Sequence, residues 1–142
     1  MSLLNNESSE VLKHQLKRHE GVKYDLYLCT AGKQTIGVGR NLDDLGISED
    51  EAMYLLDNDI KRVEKELEGK VSFISNLSEN RKIVLINMAF NLGIYRLMQF
   101  KNVFSALESQ DYQKAADEML DSRWANQVGQ RANELAEMMI AG

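Results

Sequence analysis

Proline is missing altogether from the 142 residues, and cysteine occurs once, at Cys29. Without proline the chain favours helices joined by short glycine or asparagine turns. A single cysteine excludes any intrachain disulfide. Nowhere is there a run of about 18 apolar residues, the length a membrane-spanning helix needs. Met1 to Glu10 is polar and acidic, with neither the basic start nor the apolar middle of an export signal. We therefore expect a soluble chain made in the cytoplasm. The two histidines, His14 and His19, stand five apart on a predicted helix and off a common face, so no metal site is expected. P-loop, dinucleotide-type glycine pattern and cysteine-histidine cluster are all lacking, and no cofactor is expected. A formal charge of −5 argues against a nucleic-acid partner, which wants clustered lysine and arginine.

What is present is ordinary for a globular chain: 44% hydrophobic and 27% charged residues, enough for one domain or a small lobe joined to a larger one. Helical periodicity dominates. Ser8 or Ser9 is expected to cap a first helix through about Arg18. Ser48 precedes Glu51 by three, a capping-box signature for a long helix whose apolar positions include Leu55, Leu56, Ile60, Val63 and Leu67, with Gly69 closing it. Ser78 is expected to cap the most apolar segment, Glu79 to Leu92, followed by Gly93. Asp111 is placed to cap Tyr112 to Leu120, Trp124 to anchor a core, and Gln130 to Ile140 to form a closing helix.

The stretch from Glu20 to Arg40, EGVKYDLYLCTAGKQTIGVGR, departs from that pattern. A helix is expected to end at Glu20–Gly21, where its dipole disfavours a carboxylate and favours the protonated form. Tyr24, Leu26 and Leu28 alternate with Asp25, Tyr27 and Cys29 at the period of a half-buried strand, and Thr30 to Lys33 reads as a turn into a return strand from Gln34 to Val38. Arg40 to Ile47 reads as loop, with room for a third short strand or a tight turn. These elements bring Glu20, Cys29 and Thr35 forward as polar groups. One reading makes Glu20 an acid for a leaving oxygen, opposite side chains that hold water. The other makes Glu20 a solvated last-turn residue, Cys29 a core filler and Thr35 an ordinary strand residue.

The chain also resembles the phage T4-type lysozymes. The resemblance rests on Glu20-Gly21, Cys29 and Thr35-Ile36-Gly37-Val38-Gly39. It continues in Asn87 to Gly93 (NMAFNLG), in Ser122 to Gln127 (SRWANQ) and in Arg131-Ala132, and spans roughly Leu12 to Ile140. Family members often carry aspartate where this chain has Cys29, and cysteine is a recognised variant. The resemblance implies a mainly α, α+β lysozyme-like fold over residues 1–142. Its small lobe and linking helix would be at about 20–68, its helical lobe at 1–19 and 69–142, and a cleft would lie between them. It implies an endolysin, a muramidase cutting the β-1,4 bond between N-acetylmuramic acid and N-acetylglucosamine of bacterial peptidoglycan. Glu20 would be general acid, and Cys29 and Thr35 would hold water for inversion. Direct attack by the thiolate, with retention, is the variant. Arg131 would lie near Glu20, and Arg40 with Asp59 would tie the small lobe together.

The same resemblance implies action from the host bacterial cytoplasm after a holin opens the membrane. A monomer is expected, without a terminal extension found in a longer member. The net negative charge gives no help in binding an anionic wall. Two other readings stay open: a glycan-binding protein of lysozyme fold without catalysis, and a cysteine hydrolase pairing Cys29 with His19 or His14.

Overall fold

The computed structural model describes residues 2–142. They form two compact units that part between Met53 and Tyr54. The fold class is the expected one, mainly helical with a small antiparallel sheet.

The first unit holds α1 (Asn6–Glu20), β1 (Lys23–Leu28), β2 (Gln34–Gly37), β3 (Arg40–Asn41) and α2 (Leu42–Leu45). Helix α1 starts earlier than Ser8, because the Asn5 side chain accepts the Ser8 amide and leaves Ser8 inside the first turn. It ends as expected after Glu20: Gly21 takes φ 76°, and its amide bonds the Lys17 carbonyl. The strands form one sheet in the order β1-β2-β3, with Tyr27 opposite Thr35 and Thr35 opposite Asn41. The alternation expected to bury one face of β1 is not realised. Tyr24, Leu26 and Leu28 are all exposed, and the register shifts between Lys23 and Tyr27, so a single face is not kept along the strand. The stretch after Arg40, expected as loop, opens instead with β3 and α2; Asn41 caps α2 by accepting the Asp44 amide.

Helix α3 (Glu49–Lys70) begins at the capping box predicted from Ser48 and Glu51. The Ser48 hydroxyl accepts the Glu51 amide at 3.2 Å, and Glu51 accepts the Ser48 amide at 2.9 Å. Gly69 does not close the helix, which runs to Lys70.

The second unit continues through a 3-10 turn (Ile74–Asn76), α4 (Glu79–Leu92), α5 (Ile94–Leu97), α6 (Lys101–Glu108), α7 (Tyr112–Leu120), α8 (Arg123–Val128) and α9 (Gln130–Ala141). Ser78, Asp111 and Ser122 each accept an amide three residues on, which fixes the starts of α4, α7 and α8. The core is here: Val84, Leu85 and Met88 of α4 meet Leu97, Leu107, Met119, Leu135 and Met139. Trp124 lies among them at 4% exposure, edge-on to Phe100 at 6.2 Å, with its indole N–H donated to Asn91 at 2.8 Å. Arg81 caps the far end of α9, donating to the carbonyls of Met139 and Ile140 while its guanidinium stacks on Tyr112. No helix among the described residues is long and apolar enough to cross a membrane.

Candidate active site

Helix α1 ends in solvent, and the side chain of its last residue lies against the turn between β2 and β3. Gly39, in the turn between β2 and β3 at φ 67°, has no Cβ; one added there would stand 3.2 Å from Glu20 Oε2. Glycine is thus needed at 39 for its backbone conformation and for the approach of the Glu20 carboxyl.

Thr35 lies near the other end of β2, and Cys29 follows the end of β1 in the hairpin turn that joins the two strands. The hairpin turn is closed by the Cys29 amide, which bonds the Lys33 carbonyl at 2.9 Å, and by the Gly32 amide, which bonds the Cys29 carbonyl at 2.8 Å. Amides of Lys33 and then Ala31 point toward the Cys29 sulfur, holding the thiol below its ordinary pKa by stabilising the thiolate. The Thr35 hydroxyl is a lesser influence on it. Thr35 Oγ1 itself donates to the Lys33 carbonyl at 2.8 Å. Thr35 is 3% exposed, the one buried polar residue among those described. Its proton is committed inward, so its oxygen has only lone pairs left to offer.

Glu20 and the Cys29–Thr35 pair therefore stand toward opposite ends of one short strand. Thr35 and Gly39 are four positions apart in the chain, a span of at most about 13 Å at strand rise.

Arg40 behaves differently from the expectation. Its guanidinium grips Glu51 with two bonds of 2.9 and 2.7 Å and donates also to the Gly46 carbonyl at 3.0 Å. Asp59, the partner expected for it, pairs with Arg62 one turn on at 3.5 Å. Glu51 wins because the capping box already fixes it at the start of α3, so little side-chain freedom remains to be lost. Arg40 and the Ser48 amide hold the Glu51 carboxyl down from 4.5 to about 2. A depressed carboxyl stabilises the fold above its unfolded pKa and loses that contribution as pH falls through the folded one. The melting temperature of the parent should thus exceed that of Glu51→Gln at neutral pH. The gap should begin to close below pH 4.5 and vanish near pH 2. A gap constant across that window would contradict the pairing.

Arg131 sits in the second unit. Its Nε and Nη2 donate to Asn87 Oδ1 at 3.0 and 2.7 Å, and it borders a hollow of about 200 Å³ with Leu56, Ile60 and Phe90. A neutral amide orients this guanidinium without cancelling its charge.

Sequence reasoning marked Gly39 for a close approach, which Glu20 makes, took Lys33 only as part of the turn, and passed over Asp43. Lys33 acts through its backbone, which side-chain chemistry does not announce. Asp43 accepts the Gln34 amide at 2.7 Å from nine residues away. The cue available for it was an Asp-Asp pair behind Asn41, opening a short helix.

The phage lysozyme family model matches residues 17–138. Among curated proteins, the probable T4-type lysozyme 1 of Dictyostelium discoideum is 28% identical over 160 residues, covering 92% of this chain and 94% of its own. The endolysin of Acyrthosiphon pisum secondary endosymbiont phage 1 is 28% identical over 120 residues, covering 82% and 80%. The pre-baseplate central spike protein Gp5 of Enterobacteria phage T4 is 24% identical, matching 92% of this chain with 28% of its own length. A match running from the end of α1 through most of α9, with Glu20, Cys29, Thr35 and Arg131 all inside it, places this chain in the phage lysozyme family.

Proposed function

We propose that the chain is a muramidase that hydrolyses the β-1,4 bond between N-acetylmuramic acid and N-acetylglucosamine in bacterial peptidoglycan. Family membership supports glycosidic hydrolysis, and the names of the relatives, lysozyme and endolysin, support the substrate. One observation carries the assignment of roles: a buried threonine with its proton turned inward stands beside a thiol poised toward thiolate. The Glu20 carboxyl is held toward the far end of the same strand.

In this reading Glu20 gives its proton to the departing N-acetylglucosamine O4. Thr35 accepts one hydrogen of a water molecule, and the Cys29 thiolate takes that water's other proton as its oxygen bonds to the anomeric carbon. The bond to O4 breaks, and the muramic acid leaves with inverted configuration at a new reducing end. Arg131, oriented by Asn87, is a cation available to an anionic group of the substrate. Action on the wall from the host bacterial cytoplasm, after a holin-made lesion and as a monomer, belongs to the same proposal.

The test is peptidoglycan clearing together with the anomer first released. The parent and Cys29→Asp should both clear the substrate, with rates within about tenfold, because either side chain accepts a proton from water. Proton NMR should show the inverted anomer first. Initial release of the retained anomer would instead assign Cys29 as nucleophile. A folded Cys29→Asp without activity would refute the water-handling role.

A further inference from the structure

The peptide group joining Lys33 and Gln34 is a junction for three parts of the first unit. Its carbonyl accepts the Cys29 amide at 2.9 Å and the Thr35 hydroxyl at 2.8 Å. Its N–H donates to Asp43 Oδ2 at 2.7 Å. Alongside, Lys33 Nζ lies 3.4 Å from Asp44 Oδ1, so α2 holds the hairpin turn at two adjacent points. Asn41 fixes α2 in turn, accepting the Asp44 amide at 3.1 Å and donating to Asp44 Oδ2 at 2.9 Å.

A carboxylate on the N–H of a peptide polarises it, and its carbonyl becomes a stronger acceptor, as hydrogen bonds in a chain reinforce one another. Here the strengthened carbonyl is the one that takes the Thr35 proton. We propose that Asp43 is a positioning residue: through the Lys33–Gln34 peptide it keeps the Thr35 hydroxyl turned inward, so that Thr35 meets water only as an acceptor. This rests on the water-holding reading of Thr35 given above. Asp43 acts through one peptide plane, whose carbonyl takes both the Thr35 proton and the backbone N–H of Cys29. A water whose hydrogen is drawn toward Thr35 exposes its lone pair in one direction, and loosening the peptide would let the hydroxyl turn and compete as a donor.

The charged groups packed about this turn are Lys33 on the turn itself and Asp43 and Asp44 on α2. Removing Asp43 therefore has two consequences of opposite sign for Cys29. Loss of an anion bound to the turn favours the thiolate on charge grounds, and loss of the anchor on the Gln34 N–H loosens the turn whose Lys33 and Ala31 amides favour it too. Three variants separate them. Asp43→Asn removes charge and keeps an acceptor, Asp43→Ala removes both, and Asp43→Glu keeps charge but displaces the oxygen.

The experiment follows iodoacetamide alkylation of Cys29 against pH, with thermal unfolding as the check on folding, and kcat and KM on peptidoglycan. Asp43→Ala should alkylate more slowly at neutral pH than Asp43→Asn, on the order of threefold. It should lose on the order of tenfold in kcat with KM unchanged. Asp43→Glu should move in the same direction as Asp43→Ala, and Asp43→Asn, which keeps the acceptor but loses the polarising charge, should fall between the parent and Asp43→Ala in kcat. Alkylation profiles of Asp43→Ala and Asp43→Glu that coincide with that of Asp43→Asn would overturn the proposal. Alkylation needs no glycan, so a parent that fails to cut peptidoglycan would defeat the muramidase reading while the thiol profile still decides what Asp43 does to the turn.

Discussion

Replacing Glu20 by glutamine should lower the rate of glycan cleavage by about 10²- to 10⁴-fold, the usual contribution of a positioned acid, while leaving the fold intact. Glutamine matches glutamate in size, and the contact with Gly39 demands no charge. Helix α1 ends at this residue through the Gly21 amide and the Lys17 carbonyl, neither of which involves the side chain. The loss should therefore fall on kcat with no fall in melting temperature. Clearing of peptidoglycan by Glu20→Gln at the parent's rate would remove Glu20 from the acid role and leave the chain without a proton donor for the departing sugar.

The largest loss of stability is expected at Trp124. Truncation to alanine removes a side chain that is 4% exposed, edge-on to Phe100, and leaves the Asn91 amide oxygen without its donor. Large-to-small replacement of a buried aromatic costs about 3–5 kcal/mol. For a chain of this size, that lowers the melting temperature by roughly 10 °C or more. Trp124→Phe keeps most of the ring contact and loses the hydrogen bond, so it should cost only about 1–2 kcal/mol. Calorimetry on both variants checks this. Equal losses would mean that the bond to Asn91, and not the packing, carries the indole's contribution.

The sequence patterns that proved readable are those whose cause is local. Ser78, Asp111 and the Ser48–Glu51 box announced helix starts because a cap is made within three residues of itself. Gly21 and Gly93 announced helix ends because both need positive φ there. The place of α4 in the core followed from its being the most apolar run: Val84, Met88 and Ala89 are buried as expected, whereas Ile83 and Phe90 are exposed and the buried Leu85 was not picked out. What escaped depended on distant partners. β1 alternates in sequence, yet Tyr24, Leu26 and Leu28 are exposed, because period alone does not say whether a strand has anything to bury against. Arg40 was matched to Asp59 by resemblance, but the neighbour with the prearranged carboxylate was Glu51. Asp43 finds its partner nine residues back, at the Gln34 amide, which the Asp-Asp pair behind Asn41 does not specify.

For the site, residue types and spacing pointed to Glu20, Cys29 and Thr35, and left open whether they were chemistry or ordinary structure. The structure adds a physical asymmetry. Thr35 is buried with its proton taken, and Cys29 is exposed enough to react and held toward thiolate.

Mass spectrometry of purified peptidoglycan digested in ¹⁸O-labelled water tests the account most directly. Fragments ending in a reducing N-acetylmuramic acid that carries one ¹⁸O are the predicted result, since water must supply the new anomeric oxygen. Intact glycan strands, or fragments cut only in the peptide stems, would contradict it.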